Sequence, residues 1–241
     1  MLTTTHLIGF GIEAGSLAPI SDPFWPMVRL LIQPRAGDSV PTDYSGRHTL
    51  SGPVSLQTSL VPWSGAAAIE FDSDSDSLDP SGAMADFSHG TADPFCLEMV
   101  FRLTRPNPQP GQVLLDTRMP SLSEASLIVD IAFDNSNQIV ITHTGGSLLR
   151  GGSLQQGVWH VLIYQVWHDG SQHRRLALDG TLIASEDGGN ATMASSGRFR
   201  IGGNATPPHG ATMNLGLTRV TAANRYGNGP YPVHSAFVPQ N

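Results

Sequence analysis

"VWHVLIYQVWHDGSQHRRLALDGTLIASE", Val158 to Glu186, decides the fold. In its first apolar run Trp159, Val161, Ile163 and Trp167 share a face at period two, interrupted only by Gln165. Asp169-Gly170 then reads as the two-residue loop of a tight hairpin, because glycine accepts the positive φ such loops need. The device repeats. Leu176 and Leu178 point one way, and Asp179-Gly180 turns the chain into "TLIAS". Three strands joined by two hairpins are expected from this stretch alone.

The same period extends outward. "FCLEMVFRL" (95–103) alternates Cys96, Glu98 and Val100 against Leu97, Met99 and Phe101. "LIVDIAF" (127–133) aligns Leu127, Val129, Ile131 and Phe133, and "DNSN" (134–137) turns the chain into "QIVITHT". Shorter signals lie in "FWPMVRLLIQP" (24–34), "AAAIEF" (66–71), "QVLLDTR" (112–118), "GRFRIGG" (197–203) and "MNLGLTRV" (213–220). No stretch of a dozen residues carries a helical period. The expectation is an all-β, two-sheet antiparallel β-sandwich over residues 23–241, with an N-terminal arm over 1–22. Leu7, Ile8, Phe10 and Ile12 make the arm apolar while glycines break it. It is either a first strand or an assembly arm that orders against neighbouring subunits.

Composition excludes several classes. The chain has 241 residues and a net charge of −7, and its 13 basic residues are all arginine. Without a basic run it is a poor partner for a phosphate backbone, so no nucleic acid is expected. The single cysteine, Cys96, cannot form an intrachain disulfide and reads as a small apolar group in a strand. The first twenty residues lack a cationic n-region and an apolar h-region, so no signal peptide is expected. No run reaches the ~20 apolar residues of a membrane span.

Several motifs recur in a telling order: "DYSGRH" (43–48), "AIEFD" (68–72), "FSHGTADPFCLE" (87–98), "VWHVLIYQ" (158–165), "RRLALDGTLIAS" (174–185) and "LGLTRVTAANRYGNGPYPV" (215–233). Over residues 24–233 this order resembles the concanavalin A-like, laminin-G-type lectin modules, especially those of bacteriophage virion proteins. The resemblance implies a jelly-roll sandwich in a tail, baseplate, collar or head-decoration component. It implies assembly in the host cytoplasm, with other virion proteins and further copies of the chain as partners, and a host surface glycan as ligand. One fold hosts many functions, so it speaks to fold better than to ligand.

"FDSDSDSLDP" (71–80) fails as an EF-hand, since Ser77 and Ala83 stand where glycine and glutamate are required. In the resembling modules this stretch is a strand, a tight turn and a strand, which implies an acidic hairpin. A weak Ca²⁺ held by Asp72, Asp74 and Asp76 stays open. Laminarinase-type glucanases on this sandwich carry E-x-D-x-x-E; here Glu70 and Asp72 match but Ser75 replaces the acid. The nine histidines form no ligand motif and no G-x-S-x-G elbow is present. The expectation is therefore a non-enzymatic chain without metal or cofactor. The alternatives are a cement protein that binds no sugar and, third, a glycan hydrolase. Any glycan is expected to be neutral or weakly charged, held by the loop residues Trp63, His168, His209 and Tyr226.

Overall fold

The computed structural model describes residues 22–81, 84–104, 112–118, 126–132, 136–194, 198–203 and 210–233. The arm residues Leu7, Ile8, Phe10 and Ile12, and also His209, lie outside the described residues. A short 3₁₀ turn, Trp25–Met27, leads into β1 (Val28–Ile32). There follow β2 (Leu50–Ser51), β3 (Ser55–Gln57), β4 (Ala68–Phe71), β5 (Asp79–Pro80) and β6 (Phe95–Leu103). Next are β7 (Val113–Asp116), β8 (Leu127–Ile131), β9 (Ile139–His143) and β10 (Leu149–Gly151). The hairpin stretch supplies β11 (Trp159–His168), β12 (Gln172–Leu178) and β13 (Thr181–Asp187), and β14 (Arg200–Ile201) and β15 (Met213–Thr221) complete the order.

The larger sheet runs β13-β12-β11-β6-β15-β4-β3, and the smaller runs β10-β9-β8-β7-β14; every strand pairing within them is antiparallel. β1 joins the larger sheet beyond β4 on the same edge of β15: Met213–Leu215 pair with β4, and Thr218–Thr221 with β1. A bulge between Leu215 and Leu217 separates the two pairings. The main core lies between the sheets, with Leu97, Met99, Phe101, Leu162, Tyr164 and Leu176 from one and Leu127, Val129, Ile131, Ile139 and Ile141 from the other. Strand alternation puts these side chains inward and their neighbours outward.

Both hairpins form, with one difference in detail. Leu178 pairs with Thr181 around Asp179 and Gly180, whose φ values of 49° and 82° fit a two-residue loop of the I′ kind. The first loop is longer than expected: His168 pairs with Gln172, so Asp169, Gly170 and Ser171 form three residues of loop. The acidic stretch is not a hairpin. After β4 the chain leaves the larger sheet, Leu78 bridges Ile201 on the edge of the smaller sheet, and β5 pairs with β2.

Candidate functional site

The outward face of the larger sheet is not bare. Alternation along β6 and β11 turns Cys96, Val100, Val161 and Ile163 outward, and they pack with Val28, Leu31, Ala177, Leu217 and Tyr231 into a second apolar cluster. Four half-buried rings pack against it: Tyr44, Trp63, Trp159 and Tyr226. Each is fixed by local structure. The Tyr44 hydroxyl donates to Asp38 at 2.8 Å, and the Arg35 guanidinium lies 4.0 Å over its ring. Pro62, next to Trp63, packs at the β15 bulge, where a Cβ on Gly216 would sit 2.5 Å from Pro62 Cγ and 3.3 Å from the Trp159 ring. Glycine is required there by the close approach of the loop, not by backbone dihedrals.

Beside the apolar cluster lies a buried ionic group. The Arg219 guanidinium donates to both carboxylate oxygens of Glu98, and the Tyr226 hydroxyl donates to Glu98 Oε1. Arg225 Nη2 donates to Asp22 Oδ2 at 2.9 Å and its Nε lies 3.4 Å from Glu98. Burial opposes the Glu98 charge, but Arg219 and Arg225 outweigh it and hold the carboxyl below its ordinary range. Burial and the Glu98 charge together push the Tyr226 hydroxyl up. This group fastens residues 222–233 to the sheet. Gln165, the polar interruption of the Trp159 face, donates to Gly227 O and accepts from Tyr226 N–H at 3.3 Å, and Arg175 donates to Asn228 at 3.1 Å.

The conspicuous motifs are spent on structure. Asp43 of "DYSGRH" accepts from the N–H groups of Leu31, Ser45, Arg47 and His48 and from the Ser45 hydroxyl, at 2.7–3.1 Å. Both His48 ring nitrogens meet carbonyl oxygens, Ser81 O at 2.8 Å and Arg29 O at 3.1 Å. A cleft of about 470 Å³ opens beside this loop between Val40–Thr42 and Thr49–Gly52, but Asp43 and His48 face it with their bonds committed. In "FDSDSDSLDP" the carboxylates do not share a solvated face. Asp76 is buried and accepts from Asp72 and Ser73 N–H, while Asp79 pairs with Arg200 at 2.8 Å. Among the described residues no group of three His, Cys, Asp or Glu could hold a metal ion.

Of the four expected contact residues, Trp63 and Tyr226 come together on one cluster although 163 positions apart (226 − 63). Tyr226 spends its hydroxyl inward on Glu98, leaving only its ring. His168 is exposed at the first hairpin, where Gly170 N–H approaches its Nδ1 at 3.4 Å, and strand parity places it opposite the Trp159 face. Tyr44 and Trp159, which pack against the same cluster, were not among the expected residues. The period-two register of Trp159 with Val161 and Ile163 was the available signal.

No family model matches the chain, and no curated protein does. Solved structures share the fold at low identity. Trypanosoma rangeli sialidase in complex with sialic acid matches with a TM-score of 0.59 and 13% identity over 84% of this chain and 32% of that one. Botulinum neurotoxin type C, described as entering cells through interaction with two ganglioside molecules, gives 0.52 and 13% over 85% and 50%. Endo-β-1,4-glucuronan lyase from the fungus Trichoderma reesei gives 0.52 and 13% over 80% and 94%. The chain thus spans a third to a half of the first two proteins and nearly all of the third. These likenesses establish the fold, an antiparallel β-sandwich. They also overturn the expectation of a non-enzymatic chain, because a sialidase and a lyase are among the proteins built on this fold.

Proposed function

We propose that the chain is a saccharide-binding β-sandwich module whose contact surface is the outward face of the larger sheet. The observation that carries this reading is the set of four half-buried rings, Tyr44, Trp63, Trp159 and Tyr226, around one apolar cluster. Sugars present apolar faces that rings cover, and half-buried aromatics give contact area with little loss of side-chain freedom. The ganglioside and sialic acid in the descriptions of proteins with the same fold support the same ligand class. The finer reading is a phage or phage-like particle, with other virion proteins and further copies of the chain as partners and a host surface glycan as target. Its support is the motif order from Asp43 to Val233, and neighbouring genes for capsid, portal or tail proteins would test it.

The direct test is a glycan array followed by calorimetry on the best ligand. Trp63→Ala is expected to weaken binding at least tenfold, equivalent to about 1.4 kcal/mol, while leaving the melting temperature nearly unchanged. Absence of any bound saccharide, or full affinity in the variant, removes the assignment.

A further inference from the structure

The first hairpin carries a histidine whose two ring nitrogens are both spent on carboxylates. His173 of β12 is paired with Trp167 of β11 on one side and Asp187 of β13 on the other. Its Nδ1 lies 2.6 Å from Asp187 Oδ1, and its Nε2 lies 2.6 Å from Asp169 Oδ1 in the hairpin loop. The ring stacks on the Trp167 indole with centroids 5.1 Å apart, and the Arg175 guanidinium lies 5.1 Å over the same indole. Trp167 is buried beneath them, whereas the side chains of Asp169 and Asp187 are 67% and 61% exposed.

An ionised carboxylate only accepts hydrogen bonds, so both contacts are made only when each ring nitrogen carries a hydrogen. That species is the imidazolium. The neutral ring has one N–H and one lone pair, and a lone pair this close to a carboxylate oxygen repels it. The charged groups facing the ring are Asp169 from the loop, Asp187 from β13 and, sharing Asp187, Arg175 from β12. His168, also at the loop, turns its Nδ1 to Gly170 N–H at 3.4 Å. The bond to Asp187, then that to Asp169, raises the His173 pKa above its ordinary value of about 6.5.

The two carboxylates differ in their other ties. Asp187 is pinned, because it sits on β13 opposite His173 and also accepts from Arg175 Nη1 at 2.7 Å. Among the described residues the Asp169 side chain accepts from His173 alone. Its loop is closed by Asp169 N–H donating to Ser171 O at 3.2 Å, with open space around Gly170. When the ring loses a proton, the Nδ1–H therefore stays with Asp187 and Asp169 is the group that lets go.

We propose that His173 is a proton-operated latch: as imidazolium it ties the first hairpin loop to β13 across Trp167, and as neutral imidazole it releases Asp169 and frees the loop. A charge that the fold favours contributes its stabilisation fully below about pH 6.5, and that contribution is lost as pH rises through the raised folded value. The latch is closed in mild acid and open in mild alkali. It stands apart from the saccharide reading and needs no ligand.

The test is an NMR titration of the full chain from about pH 5 to about pH 9, following the histidine rings and the loop amides. His173 should titrate above about 6.5, and the order parameters of Asp169, Gly170 and Ser171 should fall across the same midpoint. Asp169→Asn and Asp187→Asn should each lower the His173 midpoint with unchanged circular dichroism. Asp169→Asn should also abolish the pH dependence of the loop, since an amide can accept from the N–H or donate to the lone pair. A His173 midpoint at or below about 6.5, or one that neither substitution moves, overturns the imidazolium pairing. A raised midpoint that the loop amides do not follow overturns the latch.

Discussion

Glu98 is the residue on which the outward face depends. It is 0% exposed, and it neutralises Arg219 and part of Arg225 while receiving the Tyr226 hydroxyl. Removing one partner of a buried ion pair strands the other charge, which is worse than never having had the pair. Glu98→Ala should therefore cost about 3–5 kcal/mol in urea denaturation, against a total stability of about 5–15 kcal/mol for an ordinary domain. A loss below about 1 kcal/mol would mean that water or rearrangement supplies the missing charge. None of this was visible locally. Glu98 and Arg219 are 121 positions apart (219 − 98), and an isolated Glu in an apolar strand carries no mark of its partner.

Hairpins were the most legible elements, because turn chemistry is local. Asp179-Gly180 was read correctly from two residues, whereas Asp169-Gly170 recruited Ser171, and a dipeptide alone does not fix loop length. The two glycines differ in a way that can be measured. At Gly180, with φ +82°, a Cβ would press into Val233 Cγ1; at Gly170, with φ +110°, nothing lies within 4 Å. Both alanine variants incur the left-handed penalty of roughly 1–2 kcal/mol, but Gly180→Ala adds a clash with the docked C-terminal segment. Its urea midpoint should fall below that of Gly170→Ala; equal midpoints would show that residues 231–233 yield freely. The choice of face was harder to read. Both faces of β11 are apolar, and the face with Trp159, Val161 and Ile163 stood out, yet Leu162, Tyr164 and Val166 fill the main core. A strand buried on both sides offers no polar face to orient it. The acidic run misled for a related reason: alternation of Asp and Ser looks like a strand, but Asp76 folds back to accept from Asp72 and Ser73 N–H and makes a turn.

Across the whole sandwich, the two sheets are joined by a polar link as well as by the core. The Tyr164 hydroxyl of the larger sheet donates to His143 Nδ1 of the smaller at 2.6 Å, leaving His143 Nε2–H to donate to Thr192 O at 3.1 Å. That arrangement requires a neutral ring. Burial, then the neighbouring His89 and Arg174, hold the His143 pKa well below its ordinary value. A base depressed in the folded state contributes stability that is present above the unfolded pKa, about 6.5, and lost as pH falls below it. Asp130 acts in the opposite sense: burial raises it to about 6, so its ionisation weakens the fold as pH rises from about 4 toward 6. His143→Gln isolates the first effect, because Asp130 is common to parent and variant. The variant should be less stable at pH 7, and should lose less than the parent between pH 7 and pH 5. Parallel pH profiles would contradict the neutral bridge.

The account's central claim is that saccharide binds the outward face of the larger sheet, and the four tryptophans of the chain make it directly observable. Trp63 and Trp159 rim that face, Trp25 is 38% exposed on the 3₁₀ turn before β1, and Trp167 is buried beneath His173 and Arg175 near the first hairpin. Their indole N–H groups give separate cross-peaks in a ¹⁵N–¹H spectrum, assignable by one substitution each. On titration with the saccharide selected by the array, the Trp63 and Trp159 peaks should shift together along one binding curve. Trp63 and Trp159 peaks that both stay in place while the saccharide binds would contradict the account.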